Sequence, residues 1–163
     1  MTIQSGHGTI GGRLLGYRIR GSWRSLEERR LDIILESKVE SADLAESLIG
    51  DLSEREFSEH ERHEISLAVR EAIANAVLHG NQFDACKRIF LNAQLCTAGL
   101  VISIRDEGNG CHLETVPDPL APDNLLRDSG RGILLIRACM DEVIWRRTFS
   151  GGTEIIMTKR RST

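Results

Sequence analysis

Residues Ser58–Gly80, SEHERHEISLAVREAIANAVLHG, decide how this chain is read. Ser58 with Glu61 three positions on forms a capping box, the local signature of a helix start. Ile65, Ala68, Val69, Ala72, Ile73, Ala76 and Val77 then recur at helical spacing, so one apolar face must be buried. Gly80 is expected to end the helix as a C′ glycine. Immediately beyond, Arg88–Gln94 and Leu100–Arg105 read as two strands with a tight turn at Thr97-Ala98-Gly99. Strands joined so closely leave no room for a crossover helix, which excludes a doubly wound parallel sheet.

Working outward, Leu31–Ser37 carries the aliphatic run of a strand. Ser41 is expected to cap a helix over Leu44, Ala45, Leu48, Ile49 and Leu52. Towards the C-terminus, a stretch of about twenty residues (111–129) gathers all three prolines, as functional lids do. Helix resumes at Ile133–Met140, and Val143–Thr148 with Thr153–Lys159 closes a hairpin over Ser150-Gly151-Gly152. The fold class is therefore α/β in the sense of an α+β two-layer sandwich: a mixed, mainly antiparallel sheet with helices on one face. The division expected is a Gly/Arg-rich arm over 1–30, with a short strand near Leu14–Ile19, and a domain over 31–163.

The chain has 163 residues, enough for one core without disulfide or metal support. Residues 1–30 hold six arginines against two glutamates, a balance of +4, while the remainder holds 15 basic against 22 acidic residues, or −7. An acidic body, and only seven aromatics in the chain as a whole, argue against a general nucleic-acid binder. No run approaches the roughly 20 apolar residues of a membrane span, and Arg13, Arg18 and Arg20 break any secretory segment, so a cytoplasmic protein is expected. Cys86, Cys96, Cys111 and Cys139 are scattered, and His63-Glu64 lacks the second histidine of a zinc helix.

Three constellations can carry chemistry. Glu71, Asn75 and His79 stand at i, i+4 and i+8, a polar stripe bordering the core. An Asn carbonyl beside a carboxylate suits Mg²⁺, and Glu71 could accept a proton from an attacking hydroxyl; a solvated helix edge has the same spacing. Asp106 ends a strand and leads into Gly108 and Gly110. That is either a plain turn or a carboxylate awaiting a donor such as an adenine amine, with glycines admitting close backbone approach. Ser129-Gly130-Arg131-Gly132 opens a helix whose free amides could cradle phosphate, with Arg131 or Arg127 as the cation.

The order of these boxes carries more than each alone. Glu71-Ala-Ile-Ala-Asn75-Ala-Val-Leu-His79-Gly80-Asn81, Asp106-Glu-Gly-Asn-Gly110, Val116-Pro-Asp-Pro-Leu-Ala-Pro-Asp-Asn-Leu-Leu, Gly130-Arg-Gly-Ile-Leu-Leu-Ile and Met140-Asp-Glu-Val143 together resemble the GHKL ATPase superfamily with its Bergerat-type fold. Within it the chain is similar to the bacterial anti-sigma-factor serine/threonine kinases, over roughly Leu31 to Arg160. The resemblance implies an ATP·Mg-dependent protein kinase that phosphorylates a Ser or Thr of an antagonist protein and sequesters a sigma factor, commonly as a homodimer. It implies Glu71 as general base, Asn75 as the Mg²⁺ ligand, and Asp106 as reader of the adenine amine. Gly108 and Gly110 would shape the base pocket, Gly130, Arg131 and Gly132 would bind phosphate, and Thr153 would support the adenine side. Cys111 stands where many relatives place Phe. The alternatives are a non-catalytic ATP-gated binding module of the same fold, and a sensor-histidine-kinase relative, for which residues 1–30 supply no His-bearing helix pair. Neither direct nucleic-acid nor membrane contact is expected.

Overall fold

The computed structural model describes residues 8–14, 17–25, 28–109 and 131–161. Their elements run β1 (Gly8–Leu14), β2 (Tyr17–Ser25), β3 (Glu28–Glu36), α1 (Ser41–Ser53), α2 (Glu59–Asn75), a π-helical turn (Ala76–Gly80), β4 (Arg88–Cys96), β5 (Gly99–Arg105), α3 (Arg131–Cys139), β6 (Glu142–Arg147) and β7 (Thr153–Arg160). The strands form one sheet of order β1-β2-β3-β4-β5-β7-β6. All six ladders are antiparallel, so the mixed sheet expected is antiparallel throughout the described residues. The two-layer sandwich is as expected.

Side-chain alternation on a pleated strand explains the layering. On β4, Ile89, Leu91, Ala93 and Leu95 are buried while the intervening positions are not; β7 alternates likewise through Ile155 and Met157. This inner face meets Ala45, Ile49 and Leu52 of α1 and Ile65, Ala68, Val69, Ala72 and Ile73 of α2. Each fully buried Ile or Leu contributes about 1.5–3 kcal/mol by leaving water.

Helix α2 starts as its capping box requires: the Ser58 hydroxyl accepts from the Glu61 amide at 3.3 Å, and the Glu61 carboxylate accepts from the Ser58 amide at 2.8 Å. Helix α1 differs from expectation. Its N-cap is Glu40, without a side-chain cap, and Ser41 is the buried first helical residue whose hydroxyl donates to the Glu36 carbonyl at 2.9 Å. That bond turns the chain tightly from β3 into the helix layer.

The arm also differs. Residues 8–14 and 17–25 are strands, and β2 pairs with β3 from Arg18↔Ile34 to Ser25↔Glu28, so the sheet continues across residue 30. A basic, glycine-rich segment lacks the apolar alternation that announces a strand, and the pairing of these strands is seen only in their ladders.

Candidate functional site

At its C-terminal end α2 gives way to the π-helical turn Ala76–Gly80. A π turn bonds i to i+5, and such insertions concentrate at functional sites. His79 lies in this turn and is exposed. Gly80 is not a left-handed C′ glycine; the positive φ angles fall instead at Gln82 (55°) and Phe83 (60°).

What requires glycine at position 80 is contact. A Cβ there would overlap the Asp106 carboxyl group. A Cβ at Gly108 would overlap the Gly80 carbonyl oxygen, and one at Gly152 would overlap the Asp106 carbonyl oxygen. Gly152 also has φ +74°, a left-handed conformation that disfavours a side chain. Three backbones thus converge without side chains between them: the end of the π turn, the chain leaving β5, and the chain entering β7. Sequence reading expected Gly108 to admit a ligand; the structure spends its missing Cβ on Gly80.

Asp106 sits at this convergence, 5% exposed. Its Oδ1 accepts two amides, Gly108 at 2.8 Å and Thr153 at 3.0 Å, and its own amide donates to the Thr153 carbonyl at 3.0 Å. Burial pushes the Asp106 carboxyl above the usual carboxylate range, and the Thr153 and Gly108 amides oppose that shift. Among the described residues no donor reaches Oδ2. Thr153, expected on the adenine side, is buried beside Asp106 and holds it through its backbone.

Glu71 and Asn75 lie on α2, half-buried, and face α3. A Cβ at Gly132, in the first turn of α3, would stand 2.6 Å from Glu71 Oε2 and 3.5 Å from Asn75 Nδ2. The N-terminal turn of α3, with its free amides, is thus brought directly onto the carboxylate and amide. Asn75 precedes Gly80 by five residues and Glu71 by nine, distances along the helix of about 7 and 13 Å. One helix therefore carries both halves of the site.

Gly110, Gly130, Arg127, Cys111 and the proline-rich segment 111–129 lie outside the described residues, and of Arg131 only its place at the start of α3 is described.

Asn81 was quoted in the sequence only as part of a motif, without a role. It is fully buried, accepts from the Glu107 amide at 2.9 Å, and donates through Nδ2 to the Arg88 carbonyl at 3.1 Å. It thus ties the chain after the π turn to the segment following Asp106 and to the start of β4. A polar residue next to a helix-ending Gly signals a turn, but its partners 7 and 26 positions away are visible only in three dimensions.

Comparison with known proteins agrees with this arrangement. The Histidine kinase-like ATPase domain matches residues 35–159. The anti-sigma F factor of Clostridium perfringens (strain SM101 / Type A) is 33% identical over 102 residues, covering 61% of this chain and 73% of that protein. The anti-sigma F factor of Bacillus thuringiensis (strain Al Hakam) is 36% identical over 100 residues, covering 59% and 67%. With its antiparallel sheet, the Asp106 convergence and the helix bearing Glu71 and Asn75, this chain belongs to the histidine kinase-like (GHKL) ATPase family, among relatives named anti-sigma F factors.

Proposed function

We propose that this protein is an ATP·Mg²⁺-dependent serine/threonine kinase that also acts as an anti-sigma factor, phosphorylating a hydroxyl of an antagonist protein. The observation that carries the reading is the placement of Glu71 and Asn75 against the first turn of α3, within about three helical turns of Gly80 and the buried Asp106 carboxylate, one of whose oxygens no described residue engages.

The residues present fit the ligand. Asp106 Oδ2, with Oδ1 already committed to two amides, is placed to accept from an adenine amine. Asn75 offers a single oxygen donor beside a carboxylate. Among the described residues no group of three or more His, Cys, Asp or Glu could hold a metal. That donor set suits Mg²⁺, which takes one or two protein ligands and completes its octahedron with water and phosphate oxygens. When bound, Mg²⁺ would neutralise charge on the transferring phosphoryl group. The amides opening α3, with Gly130, Arg131 and Gly132, supply phosphate contacts, and Gly110 borders the base pocket.

Glu71 serves as general base. It takes the proton of the acceptor Ser or Thr as the hydroxyl oxygen bonds to the γ-phosphorus and the bond to the ADP oxygen breaks. A half-buried carboxylate set against the first turn of α3 suits that task. The names of the relatives support a sigma factor as a partner; the antagonist substrate and a homodimeric working form belong to the proposal. Among the described residues no helix is long and apolar enough to cross a membrane.

The test is phosphotransfer from labelled ATP to candidate antagonist proteins. Glu71→Gln is expected to keep ATP affinity within about twofold and to lose at least 100-fold in transfer, the scale of a removed general base. Asn75→Ala is expected to lose the Mg²⁺-dependent part of ATP binding. Undiminished transfer by Glu71→Gln would remove the base assignment and leave an ATP-gated binding module; absence of nucleotide binding by the wild type would overturn the reading.

A further inference from the structure

Lys159 is a cation in the protein interior, 8% exposed, on β7. Its Nζ donates to Glu64 Oε2 at 2.7 Å and to the carbonyl of Cys139 at 2.9 Å. Glu64 lies on α2, two turns before Glu71, and its other oxygen faces the exposed His60 Nε2 at 3.5 Å. Cys139 is the last residue of α3, so its carbonyl is one of the groups a helix end leaves without an intrahelical donor. Cys139 is itself buried, and the lysine substitutes for the missing water. A cation at this terminus also meets the negative end of the helix dipole. One ammonium group therefore joins three elements: the sheet through β7, helix α2 through Glu64, and the C-terminus of α3.

The other end of α3 is where Gly132 meets Glu71 and Asn75 so closely that a methyl there would displace the Glu71 carboxylate. The helix is nine residues, about 13 Å, and its Ile136 is fully buried between those ends. A short, straight rod held at one end transmits a shift to the other. We infer that Lys159 is a positioning residue: with Glu64 it clamps the C-terminus of α3 to α2 and so sets how the first turn of α3 meets Glu71 and Asn75. The inference rests on the reading of those two residues as the phosphate end of a nucleotide site. A purely structural ion pair would need no such partner as the Cys139 carbonyl; the third contact is what orients α3.

Removing the ammonium group would leave the Glu64 carboxylate without its cation and the Cys139 carbonyl without a donor. The last turn of α3 would then move to find water. The adenine end, held by Asp106 among β5, β7 and the π turn, shares none of these contacts.

The test compares full-length wild type with Lys159→Met, Lys159→Arg and the double variant Lys159→Met/Glu64→Gln. ATP and ADP are each titrated with Mg²⁺ by calorimetry, alongside Tm and hydrogen exchange of residues 131–139. Lys159→Met is expected to lower the preference for ATP over ADP by roughly fivefold, at nearly constant ADP affinity. The double variant removes the stranded charge and should recover Tm, yet not the preference, because the Cys139 carbonyl still lacks its donor. Lys159→Arg, which can reach both acceptors, should restore most of it. Exchange in the single and double methionine variants should rise at Leu135 and Ile136, whose amides face the carbonyls of the first turn, and not merely at residues 137–139. An unchanged preference in either methionine variant, or exchange raised only at residues 137–139, would overturn the proposal. If the wild type binds neither nucleotide, the site reading fails, and the exchange pattern alone decides whether the clamp holds.

Discussion

At Asp106 the two carboxylate oxygens have different duties. Oδ1 is occupied by the Gly108 and Thr153 amides, so the group cannot rotate without breaking two bonds. In Asp106→Asn the amide oxygen would keep both donors, which forces Nδ2 into the place of Oδ2, where it opposes an incoming amine with a donor of its own. Asp106→Asn is therefore expected to fold with unchanged or higher stability at pH 7 and to lose at least tenfold in ATP affinity, about 1.4 kcal/mol. Titration calorimetry and thermal melts separate the two. The pH dependence follows from the direction of the shift. Burial raises the folded-state pKa above the unfolded value, so the neutral form contributes stability that is fully present below the unfolded pKa, near 3.9, and is lost as pH rises through the folded pKa. Wild type should accordingly gain on Asp106→Asn as pH falls through that window, measured as the difference in their denaturant midpoints. ATP affinity should weaken over the same range, since a protonated Oδ2 no longer accepts.

At the scale of elements, the helix pair α2–α3 is set by what glycine leaves out. In Gly132→Ala the new methyl would stand 2.6 Å from Glu71 Oε2, the end of a flexible side chain that can swing aside. The fold should therefore tolerate the change and gain about 0.5–1 kcal/mol from replacing Gly by Ala in a helix. The cost falls on the carboxylate's position. Tm is expected to hold or rise while phosphotransfer drops at least tenfold, and equal transfer would show that Glu71 is not confined by α3. Gly108 and Gly152 differ, because their missing methyls face backbone oxygens that cannot move aside. The capping box of α2 and both hairpin turns were legible in the sequence because their causes lie within a few residues. The C′ role expected of Gly80 was not, since the reason for that glycine is Asp106, 26 positions on. The same holds for Ser41, read as a cap and found bonded to the Glu36 carbonyl.

Across the whole molecule, the sheet extends beyond the ATPase-like core. The family match begins at residue 35, whereas β1 and β2 add their ladders outside β3. We propose that residues 31–163 form the nucleotide domain and that the basic segment 1–30 is an addition to its edge. A chain lacking residues 1–26 should then fold and bind ATP as the full chain does, which circular dichroism and calorimetry would show. It would also bare the backbone groups of β3, so its sedimentation should reveal association beyond that of the full chain. Loss of folding on truncation would place β1 and β2 inside the domain.

The sequence by itself determined the layers, because periodicities of 3.6 and 2 record which faces are buried, and the ordered boxes around Glu71, Asn75, Asp106 and Gly132 marked the site. Only the tertiary structure decided how those boxes engage. The three glycines closed around Asp106 and the Lys159–Glu64–Cys139 junction join residues far apart in the chain. Glu64 and Lys159 are 95 positions apart. Neither shows a local pattern that would distinguish it from a surface charge, because a buried ion is specified by what packs around it and not by its neighbours in sequence.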